Sequence, residues 1–292
     1  MELSWPIKLR IGAAAAIGVA LIYGVAWPLV GTSVQAGDIS YDRAVLLIGL
    51  AFLAGLIGYF VAWPHGREIG ILAAPAGLAV WAVRSGTMAS LFQLNPTVSQ
   101  RQALATSLKF EPVLWLVVVA AGFAGVLLGQ KVCPSQKLEQ TKERPTSDPG
   151  KYLNAVVALA GSAFIAHLLI GRLAQNVVMS DNILGSVVAQ PANGQIAFAV
   201  LVSFGVAAFA VKKFLNASYI WPAIATALVA AFSMHTYVRE ASYLAQNWPA
   251  VFFENSVSSV LPIQMVAFGT LGSVAGYWMS VRYDYWRKHE MK

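Results

Sequence analysis

Eight apolar runs decide what this chain can fold into. They occupy residues 11–30, 44–63, 69–92, 112–130, 152–173, 194–215, 217–238 and 260–281. Each is about 20 residues long, which as a helix matches the roughly 30 Å hydrocarbon core of a bilayer. No water reaches backbone N–H and C=O groups in that core. A helix, which satisfies them internally, is the solution open to runs of this length. Composition agrees: 58% of the 292 residues are hydrophobic and 11% are charged, whereas a soluble domain carries about 25% charged residues. The expected fold class is an all-α integral membrane protein with eight transmembrane helices.

The net charge is +7, but the basic residues are spread over the short connections, so they form no patch for a nucleic acid. Their spacing is topogenic instead. One side collects Lys8, Arg10, Arg67, Lys131, Lys137, Lys142, Arg144, Lys151, Lys212, Lys213, Arg282, Arg287, Lys288 and Lys292; the other collects Arg43, Arg101, Lys109, Arg172 and Arg239. That is 14 against 5, with Arg84 left inside a span, and together they make up the 20 basic residues. Both termini are expected on the cytoplasmic side, in a bacterial inner (plasma) membrane. Lys8 and Arg10, the apolar run and Val34-Gln35-Ala36 have the layout of a secretory signal. The run is longer than a usual signal core of about 7–15 residues, so the first span is expected to be retained. Cys133 is the single cysteine, which excludes an internal disulfide and a cysteine-based metal site.

The chain divides nearly in half. Residues 122–129 read G-F-A-G-V-L-L-G and residues 269–276 read G-T-L-G-S-V-A-G, the same G-x-x-G-x-x-x-G at an offset of 147. That offset also pairs Pro75 with Pro222, Gly58 with Gly205 and Gly24 with Gly171. The expected organisation is a first four-helix repeat (1–130), a charged cytoplasmic linker (131–151) and a second four-helix repeat (152–292). Four spans is an even number, so the repeats are parallel. Asn95-Pro96-Thr97 is close to the N-P-A box of aquaporins, but those need inverted repeats and two boxes. Here the dipeptide reads as a turn.

Gly122, Gly125, Gly129, Gly269, Gly272 and Gly276 form faces on which helices can approach closely, within the bundle or in a homo-oligomer. Pro75 and Pro222 are candidate kinks or hinges. The connections 93–111 and 239–259 are expected to carry interfacial helices, with Ala103–Phe110 and Trp248–Phe253 as their apolar parts.

No H-E-x-x-H, C-x-x-C, Walker A or G-x-S-x-G motif is present, and an enzyme is not the expected reading. Carboxylates fall at span ends or in connections, Glu111 among them, which argues against a proton- or sodium-coupled carrier. The polar groups inside the spans are few and mostly basic: Arg84, His167, Arg172, His235 and, just past the seventh span, Arg239. All five are placed in the outer third of the membrane. They are candidate ligand-binding residues for an anionic solute or lipid headgroup, because a guanidinium suits phosphate and carboxylate. Snorkelling toward the headgroups is the reading preferred for them. Haem ligation by His167 and His235 is a third option, and no other metal or cofactor is expected. Two function classes follow. One is a channel or carrier for a small anionic or amphiphilic solute. The other is a non-catalytic structural or assembly subunit of a larger membrane complex.

Overall fold

The computed structural model describes residues 5–30, 40–134, 149–181, 185–239 and 256–289. The described residues are almost wholly helical. In order it forms α1 (Trp5–Val30), α2 (Tyr41–Val61), α3 (Gly66–Arg84), two short helices α4 (Met88–Leu94) and α5 (Val98–Leu108), then α6 (Glu111–Val132). After the connection come α7 (Pro149–Leu173), α8 (Asn193–Leu215), α9 (Ile220–Arg239), a 3-10 turn at Ser256–Ser259 and α10 (Pro262–His289). Six helices among the described residues are long and apolar enough to cross a membrane: α1, α2, α3, the α5–α6 stretch, α7 and α8.

The two other expected spans differ from these in instructive ways. The described apolar part of α9 covers Ile220–Thr236, within a helix of 20 residues. α10 is long but richer in Gly, Ser, Thr and Gln. The reason is its position: it packs on α3, α6, α8 and α9, and every residue from 261 to 270 is buried. A helix surrounded by protein does not have to be lipid-soluble, so its sequence is free to carry small and polar residues that fit its neighbours. The peripheral helices α1, α2 and α7 show the opposite, with exposed Leu53, Ile57, Phe60, Phe164 and Leu168. A bilayer is the environment that suits such apolar flanks.

Three sequence expectations change. The run 69–92 is not one span, because α3 ends at Arg84 and a new helix starts at Met88. The connection 93–111 is mostly helical, as expected, but divided between α4 and α5. The connection between α7 and α8 holds an antiparallel β-hairpin, Val177–Asp181 paired with Gly185–Ala189, which was not anticipated. Its signal is a valine pair on each side of an Asp-Asn…Gly turn. The tract Val34-Gln35-Ala36, most of the linker, and Tyr243 and Trp248–Phe253 lie outside the described residues.

The glycine triplets are used within the chain. A Cβ on Gly125 would stand 2.1 Å from the Phe52 carbonyl oxygen of α2, and one on Gly129 would meet the Tyr59 ring at 2.7 Å. In the second half, a Cβ on Gly272 would stand 2.2 Å from the Leu201 carbonyl oxygen of α8, and one on Gly276 would stand 2.0 Å from that of Gly205. The first glycine of each triplet meets another helix as well: Gly122 faces Ala74 of α3, and Gly269 faces Thr226 of α9. Both faces are therefore covered by their own half. The prolines differ from each other. Pro222 is the third residue of α9, where no intrahelical N–H is needed. Pro75 follows the 3-10 turn Gly70–Leu72 inside α3, a distortion expected four residues before a missing donor.

One apolar core runs through both halves, from Ile22, Leu78, Trp81 and Trp115 to Phe204, Met265 and Phe268.

Candidate functional site

The tripeptide Ser85-Gly86-Thr87 interrupts the third span. Ser85 Oγ donates back to the Trp81 carbonyl at 3.0 Å and closes α3. Gly86 takes φ +82°, a left-handed conformation open to glycine at low cost. Thr87 and Ser90 then form a capping box that starts α4: the Ser90 amide donates to Thr87 Oγ1 at 3.2 Å, and the Thr87 amide to Ser90 Oγ at 3.1 Å. Arg84 is thus the last residue of α3, not eight residues short of the span's end, and it is exposed. A cation at a helix C-terminus is favoured by the carbonyl end of the helix dipole.

The other arginines at this end repeat that logic. Arg43 Nη1 donates to the last carbonyl of α1, Val30, at 3.0 Å. Arg101 Nε donates to Asn95 O, just past α4, at 3.0 Å. Arg172 sits in the last turn of α7, exposed, in line with exposed Phe164 and Leu168.

The start of α8 meets two of these helix ends. Asn193 Nδ2 donates to the Val83 carbonyl at 3.3 Å, next to Arg84. Gln195 Nε2 donates to the Leu173 carbonyl at 3.0 Å, next to Arg172. The first turn of α8 therefore stands between the C-termini of α3 and α7. No side chain caps it, the N-cap being Ala192, and a Cβ added at Gly194 would meet nothing within 4 Å. Buried Gln264 of α10 completes the joint. Its Nε2 donates to Gly86 O at 3.1 Å and lies 3.4 Å from Asn193 Oδ1, while its Oε1 accepts from the Leu261 amide at 3.1 Å. One side chain so ties the break in α3 to the starts of α8 and α10.

The remaining candidates are placed differently. His167 is half-buried on the flank of α7. His235 is exposed, on the same stripe of α9 as exposed Leu228 and Phe232. Arg239 closes α9, and its side chain lies outside the described residues. A bis-histidine haem needs both imidazoles turned into one cavity, and the peripheral stripe that carries His235 gives that no support. Among the described residues no group of three or more His, Cys, Asp or Glu could hold a metal ion.

Sequence reasoning placed Glu111 at a span end, and its depth is a correction. It is the first residue of α6 and only 8% exposed. One oxygen accepts from Trp115 Nε1 at 3.4 Å. Trp115 stacks edge-on with Trp81, Trp81 with Trp27, and Trp27 stands near Tyr23, at centroid separations of 5.8, 5.2 and 5.8 Å. The available signal was the Glu-x-x-x-Trp spacing of one helical face. Long-range packing against Trp81 supplies the burial, and no local pattern reports it.

Compared with protein-family models, with curated protein sequences and with solved structures, the chain matches none.

Proposed function

We propose that this polytopic membrane protein is a carrier or channel for a small anionic or amphiphilic solute, entered from the end of the bundle remote from its termini. The observation that carries the reading is the uncapped start of α8 between Arg84 and Arg172. A helix N-terminus attracts anions through its free N–H groups and dipole, and the two carbonyls this one meets, Val83 and Leu173, each neighbour in the chain an arginine, whose guanidinium suits bidentate binding. The interrupted third span supports the same reading, since carriers build substrate sites where membrane helices break against neighbouring protein. His167, His235 and Arg239 belong to the outer rim of that proposal. The charge asymmetry of 14 against 5 supports cytoplasmic termini and an outward-facing site. The matched packing of the two glycine triplets supports a duplicated four-helix unit.

The test is thermal stability of the purified chain against phosphate, sulfate, small carboxylates and anionic lipid. A ligand that binds the folded state raises its melting temperature by mass action. At least one anion should stabilise wild type and leave Arg84→Gln and Arg172→Gln unchanged. No shift in wild type with any anion would sink the proposal.

A second reading, a non-catalytic subunit of a larger membrane complex, is favoured by the continuous apolar core through both halves. It predicts no anion effect and recovery of specific partners when native membranes are solubilised gently.

A further inference from the structure

α10 is longer than a bilayer core requires. Its 28 residues extend about 42 Å, against a core of roughly 30 Å. Its last two turns carry Arg282, Arg287 and Lys288 together with exposed Tyr283, Tyr285 and Trp286. The last turn of α8 brings Lys212 and Lys213 alongside. Five cations and one carboxylate, Asp284, give this two-helix end a net charge of +4.

Three of these cations are held in place. Lys213 Nζ is 2.5 Å from Asp284 Oδ1 and 4.3 Å from the Tyr283 ring centre. Lys212 Nζ lies 5.3 Å from the Tyr277 ring centre, and the Arg282 guanidinium 4.5 Å from that of Trp286. One donor is left over: Arg282 Nε is buried and has no hydrogen-bond partner among the described residues. That nitrogen is sealed by protein, so an anion from outside meets the exposed Arg287 and Lys288 instead.

We propose that this end of α8 and α10 binds an anionic phospholipid headgroup through its exposed cations, Arg287 and Lys288, beside Lys212 and Arg282. The exposed tyrosines and tryptophan favour a lipid over a free anion, because amphipathic rings settle at the headgroup level of a bilayer. The cations supply the attraction to an anionic leaflet. This site is at the opposite end of the bundle from the one above and does not depend on it.

The experiment uses the full chain in mild detergent, with binding read as the thermal shift on adding phosphatidylglycerol, phosphatidylcholine or inorganic phosphate. Phosphatidylglycerol should stabilise wild type where the other two do not. Each basic residue near an anionic surface contributes about fivefold in affinity. Arg282→Gln/Arg287→Gln/Lys288→Gln should therefore need about a hundredfold more phosphatidylglycerol for the same shift. Lys137→Gln/Lys142→Gln/Arg144→Gln, which removes equal charge from the linker, should behave as wild type. Equal shifts with phosphatidylcholine would overturn the proposal, as would an inorganic phosphate effect of the same size or an equal loss in the linker variant. Arg287→Gln/Lys288→Gln removes two exposed cations and leaves Arg282 on Trp286. It should retain fewer phosphatidylglycerol molecules in native mass spectrometry, and wild-type retention would overturn the proposal even if the triple variant fails to fold.

Discussion

The glycine faces make the sharpest stability prediction. In Gly272→Ala the new Cβ would lie 2.2 Å from the Leu201 carbonyl oxygen, where ordinary contact begins near 3.4 Å. That oxygen belongs to the backbone of α8, so it cannot rotate away as a side chain would. α8 and α10 must instead separate by about 1 Å, and a gap of that size forfeits roughly a quarter to a half of the dispersion attraction along the seam. Overpacking of this kind costs about 1–3 kcal/mol, while the better helix propensity of alanine returns about 1 kcal/mol. The expected net loss is about 0–2 kcal/mol. Gly276→Ala meets the Gly205 carbonyl oxygen at 2.0 Å and strains the same seam. The double variant should therefore lose less than the sum of the two singles. Gly161→Ala is the internal control. It is on α7 with nothing within 4 Å of the added Cβ, and it should gain up to about 1 kcal/mol. The assay is thermal melting in mild detergent, followed by size exclusion of a fluorescent fusion. A Gly272→Ala protein as stable as Gly161→Ala would refute the backbone-contact argument.

Three further outcomes follow from the same coordinates. Gln264→Leu leaves Gly86 O, Asn193 Oδ1 and the Leu261 amide without their partner and should destabilise the fold by about 2–4 kcal/mol, read in the same melting assay; a neutral effect would mean that the joint is not a buried network. Glu111→Gln keeps an oxygen for Trp115 Nε1 and should melt within about 1 kcal/mol of wild type, while Glu111→Lys places an uncompensated charge among Trp115, Trp81 and their neighbours and should abolish folded protein on size exclusion. The hydrogen bond from Lys213 holds the Asp284 carboxyl below its usual value of 3.8, so its contribution is present above that value and disappears as pH falls through the lower one. The difference in melting temperature between wild type and Asp284→Asn should accordingly shrink on acidification below about pH 4, and a constant difference would contradict the pairing.

Much of the architecture is legible in single residues, and the exceptions have physical causes. The lipid-facing runs announce themselves because a peripheral helix must be apolar around most of its surface. α10 is the weaker signal, since Gln264, Thr270 and Ser273 are buried against protein rather than lipid. The break after Arg84 was written in Ser85-Gly86-Thr87, a stop, a positive φ and a cap. It was masked by the apolar residues on both sides. Arg84 looked anomalous only while its span seemed unbroken. At a helix C-terminus the charge has an ordinary electrostatic role, and its interest lies in what stands next to it.

By itself, the sequence determined the membrane environment, the helical class and the glycine faces. Each follows from local chemistry: apolar length, internally satisfied backbone and missing side chains. Tertiary structure alone decided that the glycines serve contacts within each half, that Glu111 is buried beside Trp115, and that Asn193, Gln195 and Gln264 draw the ends of α3, α7, α8 and α10 together. Those contacts join residues up to 178 positions apart, and no periodicity along a chain specifies which distant helix supplies the partner.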